Sequence, residues 1–148
     1  MNEEYSFDRG NLTGPVYQLS DAVYANDLKA VKHILDGGLN VNAYDYEHGT
    51  ALSWAADEGH LDLVKFLIER GANVNAVDDD GWAPLHDAVQ SNHTEIVKVL
   101  LEHGADVSIA ATETFAGFTP LMMARQHGNV GMMELLEKYG AKQQNLSH

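Results

Sequence analysis

Histidine and aspartate side chains are among the groups of this chain that could bind a metal ion, so we consider their spacing first. Zinc on one helix face needs two histidines four residues apart, and no pair of histidines has that spacing. His60 and His93 stand 33 residues apart instead. The run Asp78-Asp79-Asp80-Gly81 lacks the alternating ligands and the closing glutamate of a calcium loop. The histidines are His33, His48, His60, His86, His93, His103, His127 and His148. We expect no metal site among them.

Catalytic patterns are also missing from the sequence. There is no cysteine, no glycine-rich phosphate loop and no G-x-S-x-G turn around a serine nucleophile. Ser53 and Asp57 lie one helical turn apart, but such a pair, with histidines elsewhere in the chain, arises by chance. The sequence therefore predicts a protein that is not an enzyme and that binds no cofactor.

The amino-acid composition limits the kinds of molecule that the chain is expected to bind. The 148 residues include 22 Asp and Glu against 9 Lys and Arg, which gives a formal net charge of −13. This charge repels the phosphates of nucleic acids and anionic lipids and attracts basic surfaces. The first residues are acidic, and no stretch approaches the roughly 20 apolar residues that span a bilayer. Since cysteine is absent, disulfides are excluded. We expect a soluble cytoplasmic protein that binds neither nucleic acid nor membrane.

A period of 33 residues organises the elements that must position these side chains. Gly71-Ala72 recurs as Gly104-Ala105, and Leu52 recurs as Leu85. Each copy has a turn and two short helices, and the second helix carries apolar residues at helical spacing, as within 61–68. The predicted helices are Thr50 to Glu58, Leu61 to Arg70, Ala83 to Ser91, Thr94 to His103, Leu121 to His127 and Val130 to Tyr139, after a first pair that opens at Pro15 and ends at Gly37-Gly38.

The period and one motif carry a family resemblance. Ala83-Pro84-Leu85-His86-Asp87-Ala88 and Thr119-Pro120-Leu121 follow the T-P-L-H-x-A pattern of the ankyrin repeat, which the chain resembles over about residues 16–142. The resemblance implies an all-α solenoid of about four helix-turn-helix repeats with β-turn fingers along one edge. The implied boundaries are a flexible tail at 1–14, repeats at about 15–43, 44–76, 77–109 and 110–142 that form one domain over 15–142, and a second tail at 143–148.

Several polar residues recur at packing positions, and we assign them to the fold. Thr50 and Thr119 are expected to cap helix starts through their hydroxyl groups. The imidazole of His86 is expected to bond neighbouring turn backbone. Asp45 and Asp78, at matching places, are expected to accept hydrogen bonds from turn amides.

Charge is distributed unevenly over the implied solenoid. In the family that the chain resembles, turn tips and first helices line a concave side that generally binds other proteins. The implied lining segments, 16–27, 44–58 and 77–91, contain no Lys or Arg. The cations on the second helices are Lys29, Lys32, Lys65, Arg70, Lys98 and Lys138. The acids of the lining segments are Asp21, Asp27, Asp45, Glu47, Asp57, Glu58, Asp78, Asp79, Asp80 and Asp87. We predict cations confined to the outer helices and a negative concave side.

Aromatic residues interleave with these acids, on turns or on the predicted exposed side of first helices. They are Tyr24, Tyr44, Tyr46, Trp54, Trp82, Phe115 and Phe118. Rings that supply affinity, within a rim of charges that supplies association rate, are typical of a protein-binding site. The predicted partner-binding residues are Tyr46, Glu47, Trp54, Asp57, Glu58, Asp79, Asp80, Trp82, Asp87, Phe115 and Phe118. Two alternatives stay open: Trp54 packs on its own repeat, and the acidic face serves only solubility.

The last repeat contains an irregularity. Leu121 follows Leu85 by 36 residues rather than 33, so three extra residues lie within Ser108 to Gly117. An insertion at a turn tip marks either a binding finger, with Phe115 near its end, or tolerated drift.

These observations predict a monomeric, non-enzymatic interaction module that binds a basic partner protein through an acidic, aromatic-studded concave face. The chain resembles small acidic bacterial ankyrin proteins, some of which neutralise a toxin by covering a basic cleft, and this resemblance implies an inhibitor or immunity protein. The alternative is a structural adaptor or assembly subunit.

Overall fold

A computed structural model describes residues 14–45, 48–112 and 117–140, and it folds them entirely into helices and turns, with no β-strand. The helices in these ranges are α1 (Pro15–Tyr24), α2 (Leu28–Asp36), α3 (Ala51–Glu58), α4 (Leu61–Glu69), α5 (Pro84–Gln90), α6 (Thr94–Glu102), α7 (Pro120–Gln126) and α8 (Val130–Lys138). The predicted tails fall outside the described ranges except for Gly14, as do the predicted contact residues Tyr46, Glu47 and Phe115.

The helices form four successive pairs, which we call repeats one to four. Within each repeat the two helices pack together, and first helices also pack in a row, α1 on α3, α3 on α5 and α5 on α7. Contacts between neighbouring second helices are sparser, and those between α4 and α6 are the most extensive of them. Tighter packing on one side curves a stack toward that side, so the first helices lie on the inner surface. The all-α repeat solenoid is thus confirmed.

Small residues make the close approach of the first helices possible. Ala55, Ala56 and Ala88 are completely buried, as expected for positions where a larger side chain would separate the repeats. Leu67 and Leu100, one period apart on the second helices, are also fully buried and extend the core from repeat to repeat. A single continuous apolar core therefore runs through the stack.

Side-chain caps and left-handed residues end the helices close to where the sequence predicts. Thr50 accepts a hydrogen bond from the Ser53 amide, and Thr119 accepts one from Met122, which confirms both caps. Gly71, after α4, has φ +91°, the left-handed conformation expected of a helix stop. The bounds predicted for α3 to α8 differ from the observed ones by no more than one residue at either end.

A ladder of asparagine side chains joins the loops that follow the second helices. The Asn42 amide donates to the carbonyl of Gly71 at 3.2 Å and accepts from the Asn73 amide at 2.7 Å. Asn75 makes the same pair of bonds one repeat later. These bonds fix the spacing of the repeats, and with it the spacing of the inner surface.

Candidate functional site

The inner surface consists of the first helices and of the turns that precede α3, α5 and α7, which we call fingers two, three and four. In finger two, the Asp45 amide donates to the Gly49 carbonyl, and the Asp45 carboxylate accepts from the Gly49 amide at 2.9 Å. In finger three, Asp78 makes the same two bonds with Trp82. The turn-bonding role predicted for Asp45 and Asp78 is confirmed.

Finger four contains the insertion and is joined to finger three. Its Ala111 amide donates to the Phe118 carbonyl at 2.9 Å, the bond that closes the other fingers, so the extra residues lie between these two positions. The Thr112 amide donates to the Asp80 carbonyl at 2.8 Å. Gly81 has φ +77°, and a Cβ there would stand 2.8 Å from the Thr112 hydroxyl oxygen, so the junction requires glycine.

Trp54 does not lie where the sequence predicted. Its side chain is only 6% exposed, and its ring stacks on Tyr24 of repeat one with centroids 6.3 Å apart. A Cβ on Gly49 would come within 2.6 Å of the Trp54 indole nitrogen, so the ring fills the space above that glycine. The prediction of an exposed Trp54 is therefore wrong. The rings that repeats one and two present to solvent include Tyr24, which is 47% exposed, and Tyr44, which is 39% exposed.

Trp82 and Phe118 are half-buried, and His86 connects them. The Trp82 ring stacks on the His86 imidazole with centroids 5.9 Å apart. His86 accepts from the Ala83 amide through Nδ1 at 3.0 Å, which leaves Nε2 to donate to the Phe118 carbonyl at 3.3 Å. The predicted backbone-bonding role of His86 is confirmed, and burial lowers its pKa below the ordinary value. The Trp82 ring thus stacks on a neutral His86 imidazole whose orientation is fixed by two hydrogen bonds.

Two aspartates on first helices form the acidic centre of the inner surface. Asp57, at the end of α3, accepts a 2.7 Å hydrogen bond from the Ser91 hydroxyl after α5. Asp87, on α5, is half-buried. Burial raises its pKa well above the ordinary value, and the charges of Asp57 and Asp78 raise it further. A hydrogen bond from Ser53 opposes this shift only in part.

The remaining predicted acids lie at the rim. Glu58, Asp79 and Asp80 are exposed. The Asp79 carboxylate contacts the His48 imidazole of the neighbouring finger, an ion pair when that histidine is protonated. His48 has φ +59°, a conformation that non-glycine residues adopt rarely, at the place that Gly81 occupies one repeat later.

One cation departs from the predicted distribution. Arg125 lies on α7, a first helix, so the prediction that cations are confined to the outer helices is wrong for this residue. The residues at the same place in the two preceding repeats, Ala56 and Val89, are buried against the next repeat. Arg125 therefore lies at the end of the stack rather than on the concave lining. The lining segments named from the sequence still contain no Lys or Arg.

Family comparisons agree with this geometry. A model described as ankyrin repeats in three copies matches residues 19–111, and a model described as an ankyrin repeat matches residues 116–146. The chain belongs to the ankyrin-repeat family. Ankyrin repeats are generally non-enzymatic scaffolds for protein-protein interaction, and this is the function class of the chain. No curated protein matches the sequence.

The ankyrin helices are short. Over the ranges that the structure describes, none is long and apolar enough to cross a membrane. The same ranges contain no group of three or more His, Asp or Glu side chains that could hold a metal ion.

The sequence analysis missed two side chains of the inner surface, Ser53, which contacts Asp87, and Tyr24, which stacks on Trp54. Ser53 stands one period before His86, so a serine occupies the place where the repeat signature has histidine. Its hydroxyl group forms a hydrogen bond with the Asp87 carboxylate. Tyr24 stands one period before Asp57, and the stack of Tyr24 on Trp54 joins repeats one and two along the inner surface. Reading each position against its equivalents 33 residues away would have found both.

Proposed function

We propose that this ankyrin protein binds a basic partner protein through its inner surface. The observation that carries the proposal is the environment of Asp87. This carboxylate is half-buried beside Asp57 and Asp78, and the ion pairs formed by the described residues, Asp36 with Arg70 and His48 with Asp79, do not include it.

The environment of Asp87 disfavours the ionised form of its carboxyl group. Burial removes hydration from Asp87, and like charges repel it, which is why its pKa is raised. A lysine or arginine side chain from a partner would supply the missing opposite charge. Perturbed carboxylates in a concavity are frequent at functional sites for this reason.

Aromatic rings flank this acidic centre and supply apolar contact area. Trp82 rests on His86 beside Asp87, and Tyr24 rests on Trp54 at the other end of the surface. Two rings held by stacking lose little conformational entropy on binding, which is the property of an interface anchor. Trp54 then contributes by supporting Tyr24 rather than by touching the partner.

The proposed contact set combines exposed and half-buried acids and rings. Its described members are Tyr24, Asp57, Glu58, Asp79, Asp80, Trp82, Asp87 and Phe118. Tyr46, Glu47 and Phe115 stay predictions from the sequence. Within this proposal, the role is that of a monomeric inhibitor or immunity protein that covers a basic cleft, as in the small bacterial ankyrin proteins that the chain resembles.

The test compares two double variants with the same change in net charge. In one, Asp57 and Asp87 are replaced by Asn. In the other, Glu69 and Glu102, exposed acids at the ends of α4 and α6, are replaced by Gln. The partner captured by the wild-type protein from its native lysate is identified, and its affinity for the three proteins is measured over a range of salt concentrations.

We expect a basic partner whose affinity falls at least about tenfold for the inner variant, the equivalent of about 1.4 kcal/mol, and stays nearly unchanged for the outer variant. Equal losses in both variants would show that only net charge matters. An acidic partner, or a stable homo-oligomer that buries the inner surface, would favour the adaptor alternative.

A further inference from the structure

Two serine–aspartate hydrogen bonds join α3 to α5 and its end, and they fix the geometry of the acidic centre. The Ser91 hydroxyl donates to Oδ1 of Asp57 at 2.7 Å. The Ser53 hydroxyl, which accepts from the Thr50 hydroxyl at 3.3 Å, donates to the Asp87 carboxylate. On each strand of chain the serine and the aspartate are four residues apart. The two hydrogen bonds therefore lie one helical turn apart, about 6 Å along the groove between the helices.

Both carboxylates keep acceptor capacity after these bonds are made, since an ionised carboxylate has about four acceptor sites. Oδ2 of Asp57 accepts no hydrogen bond from the described residues. The bond from Ser53 to Asp87 does not offset the burial of that carboxylate. The ion pairs within the described ranges include neither aspartate. What the acidic centre lacks is a positively charged donor that reaches two carboxylates at once.

The Trp82 ring lies beside this acidic centre. In repeat two the equivalents of Trp82 and Asp87 are Gly49 and Trp54, and a Cβ on Gly49 would lie 2.6 Å from the Trp54 ring. Side chains at these two positions of a repeat therefore meet in one space, which in repeat three holds an indole and a carboxylate. The Trp82 ring is half-buried and stacks on the His86 imidazole. A cation that pairs with Asp87 thus also meets the face or edge of a fixed indole, and indole faces attract cations.

We propose that the partner side chain bound at the acidic centre is an arginine, whose guanidinium bridges Asp57 and Asp87 and stacks on the Trp82 ring. This inference rests on the proposed function and names the chemistry of the partner residue. A guanidinium is planar and has five N–H donors on different edges, so it can donate to two carboxylates at once. It is weakly hydrated and stacks on aromatic rings, whereas a lysine ammonium is a strongly hydrated point charge that loses more hydration in a half-buried site.

The test uses two small cations, propylguanidinium and butylammonium, which reproduce the ends of arginine and lysine side chains. Each is titrated at pH 7 and constant ionic strength into ¹⁵N-labelled protein. The chain has two tryptophans, so the indole N–H signal of Trp82 reports binding and that of the buried Trp54 is an internal control. We expect propylguanidinium to shift the Trp82 signal and to leave the Trp54 signal nearly unchanged. Its affinity should exceed that of butylammonium at least about fivefold.

Three variants separate the carboxylates from the ring. Replacing Asp57 and Asp87 with Asn should abolish the shift that propylguanidinium causes at Trp82. Replacing the exposed outer acids Glu69 and Glu102 with Gln should leave that shift unchanged, although the net charge changes equally. Trp82→Leu should keep weak binding of both cations, measured on the backbone amide signals of α5, and remove most of the preference for propylguanidinium.

Three results would overturn the arginine assignment. One is a Trp82 signal that neither cation shifts. Another is a shift that persists in the Asp57 and Asp87 double variant, since the carboxylates would then not hold the cation. The third is equal affinity for the two cations, which would leave the proposed function standing because a lysine could then fill the site. The proposed function fails separately, when the captured partner binds the inner and outer double variants equally well.

Discussion

Repeats two and three have the same backbone plan but place their tryptophan differently. In repeat two the last finger residue is Gly49 and the helix carries Trp54, whose ring covers that glycine. In repeat three the equivalent finger residue is Trp82 and the equivalent helix residue is Asp87. One indole covers the junction of finger and helix in each case. When the ring comes from the finger, the helix position is free for a carboxylate on the inner surface. Repeat two is therefore built for packing, and repeat three for contact.

The largest expected effect that separates the two repeats is on stability. Trp54→Ala should lower the free energy of unfolding by about 3–5 kcal/mol, because it removes a buried ring and leaves a cavity. Trp82→Ala should cost less than half of that, since the ring is half-exposed. Urea unfolding of both variants measures the difference. A larger loss for Trp82→Ala would reverse the assignment of packing and contact.

A smaller effect is expected at the glycine beneath Trp54. Gly49→Ala should destabilise by about 1–3 kcal/mol, because the new Cβ would overlap the indole nitrogen. Gly131→Ala on α8 is the matched control. Its Cβ would meet no atom closer than 3.7 Å, so it should stabilise by about 0.5–1 kcal/mol. Thermal unfolding of the two variants provides the comparison, and a stabilised Gly49→Ala would show that Trp54 does not occupy this space.

The rates of binding to the partner should distinguish the role of the exposed acids at the rim from the role of the Trp82 ring. Reversing Glu58, Asp79 and Asp80 to Lys should slow association by about tenfold or more at low salt and weaken its salt dependence, because these exposed acids steer a basic partner. Trp82→Ala should leave association nearly unchanged and speed dissociation. Both rates are measured by surface-immobilised binding of the captured partner. Unchanged rates in both variants would exclude repeat three from the interface.

Local pattern made most of the fold predictable. The 33-residue period, the glycine stops and the capping threonines specify each helix within its own repeat, so bounds were predicted to within a residue. The turn bonds of Asp45 and Asp78 were predictable for the same reason.

What the sequence could not show depends on contacts between repeats. The burial of Trp54 needs Tyr24 from another repeat as well as the nearby Gly49. The position of Arg125 follows from its place in repeat four, where no helix of the described residues packs over it. The shift in the pKa of Asp87 depends on burial and on side chains of two other elements, α3 and finger three. Each of these features joins residues of different repeats or elements, so the pattern within a single repeat does not reveal it.

The smallest expected change in stability is that of Asp87→Asn, and its pH dependence tests the proposed role of Asp87 most directly. Because the folded pKa of Asp87 is raised, the folded state binds a proton more readily than the unfolded state, and stability from this group is lost as pH rises from the unfolded pKa through the folded one. Asp87→Asn should therefore be more stable than wild type at pH 7, and this advantage should vanish below about pH 4, where Asp87 is protonated in both states.

The decisive measurement is the stability of Asp87→Asn at pH 7 together with its affinity for the captured partner. The account predicts opposite signs, a more stable protein that binds more weakly, because the carboxylate is held without a cation until the partner supplies one. An Asp87→Asn protein that is less stable than wild type, or that binds the partner equally well, would contradict it.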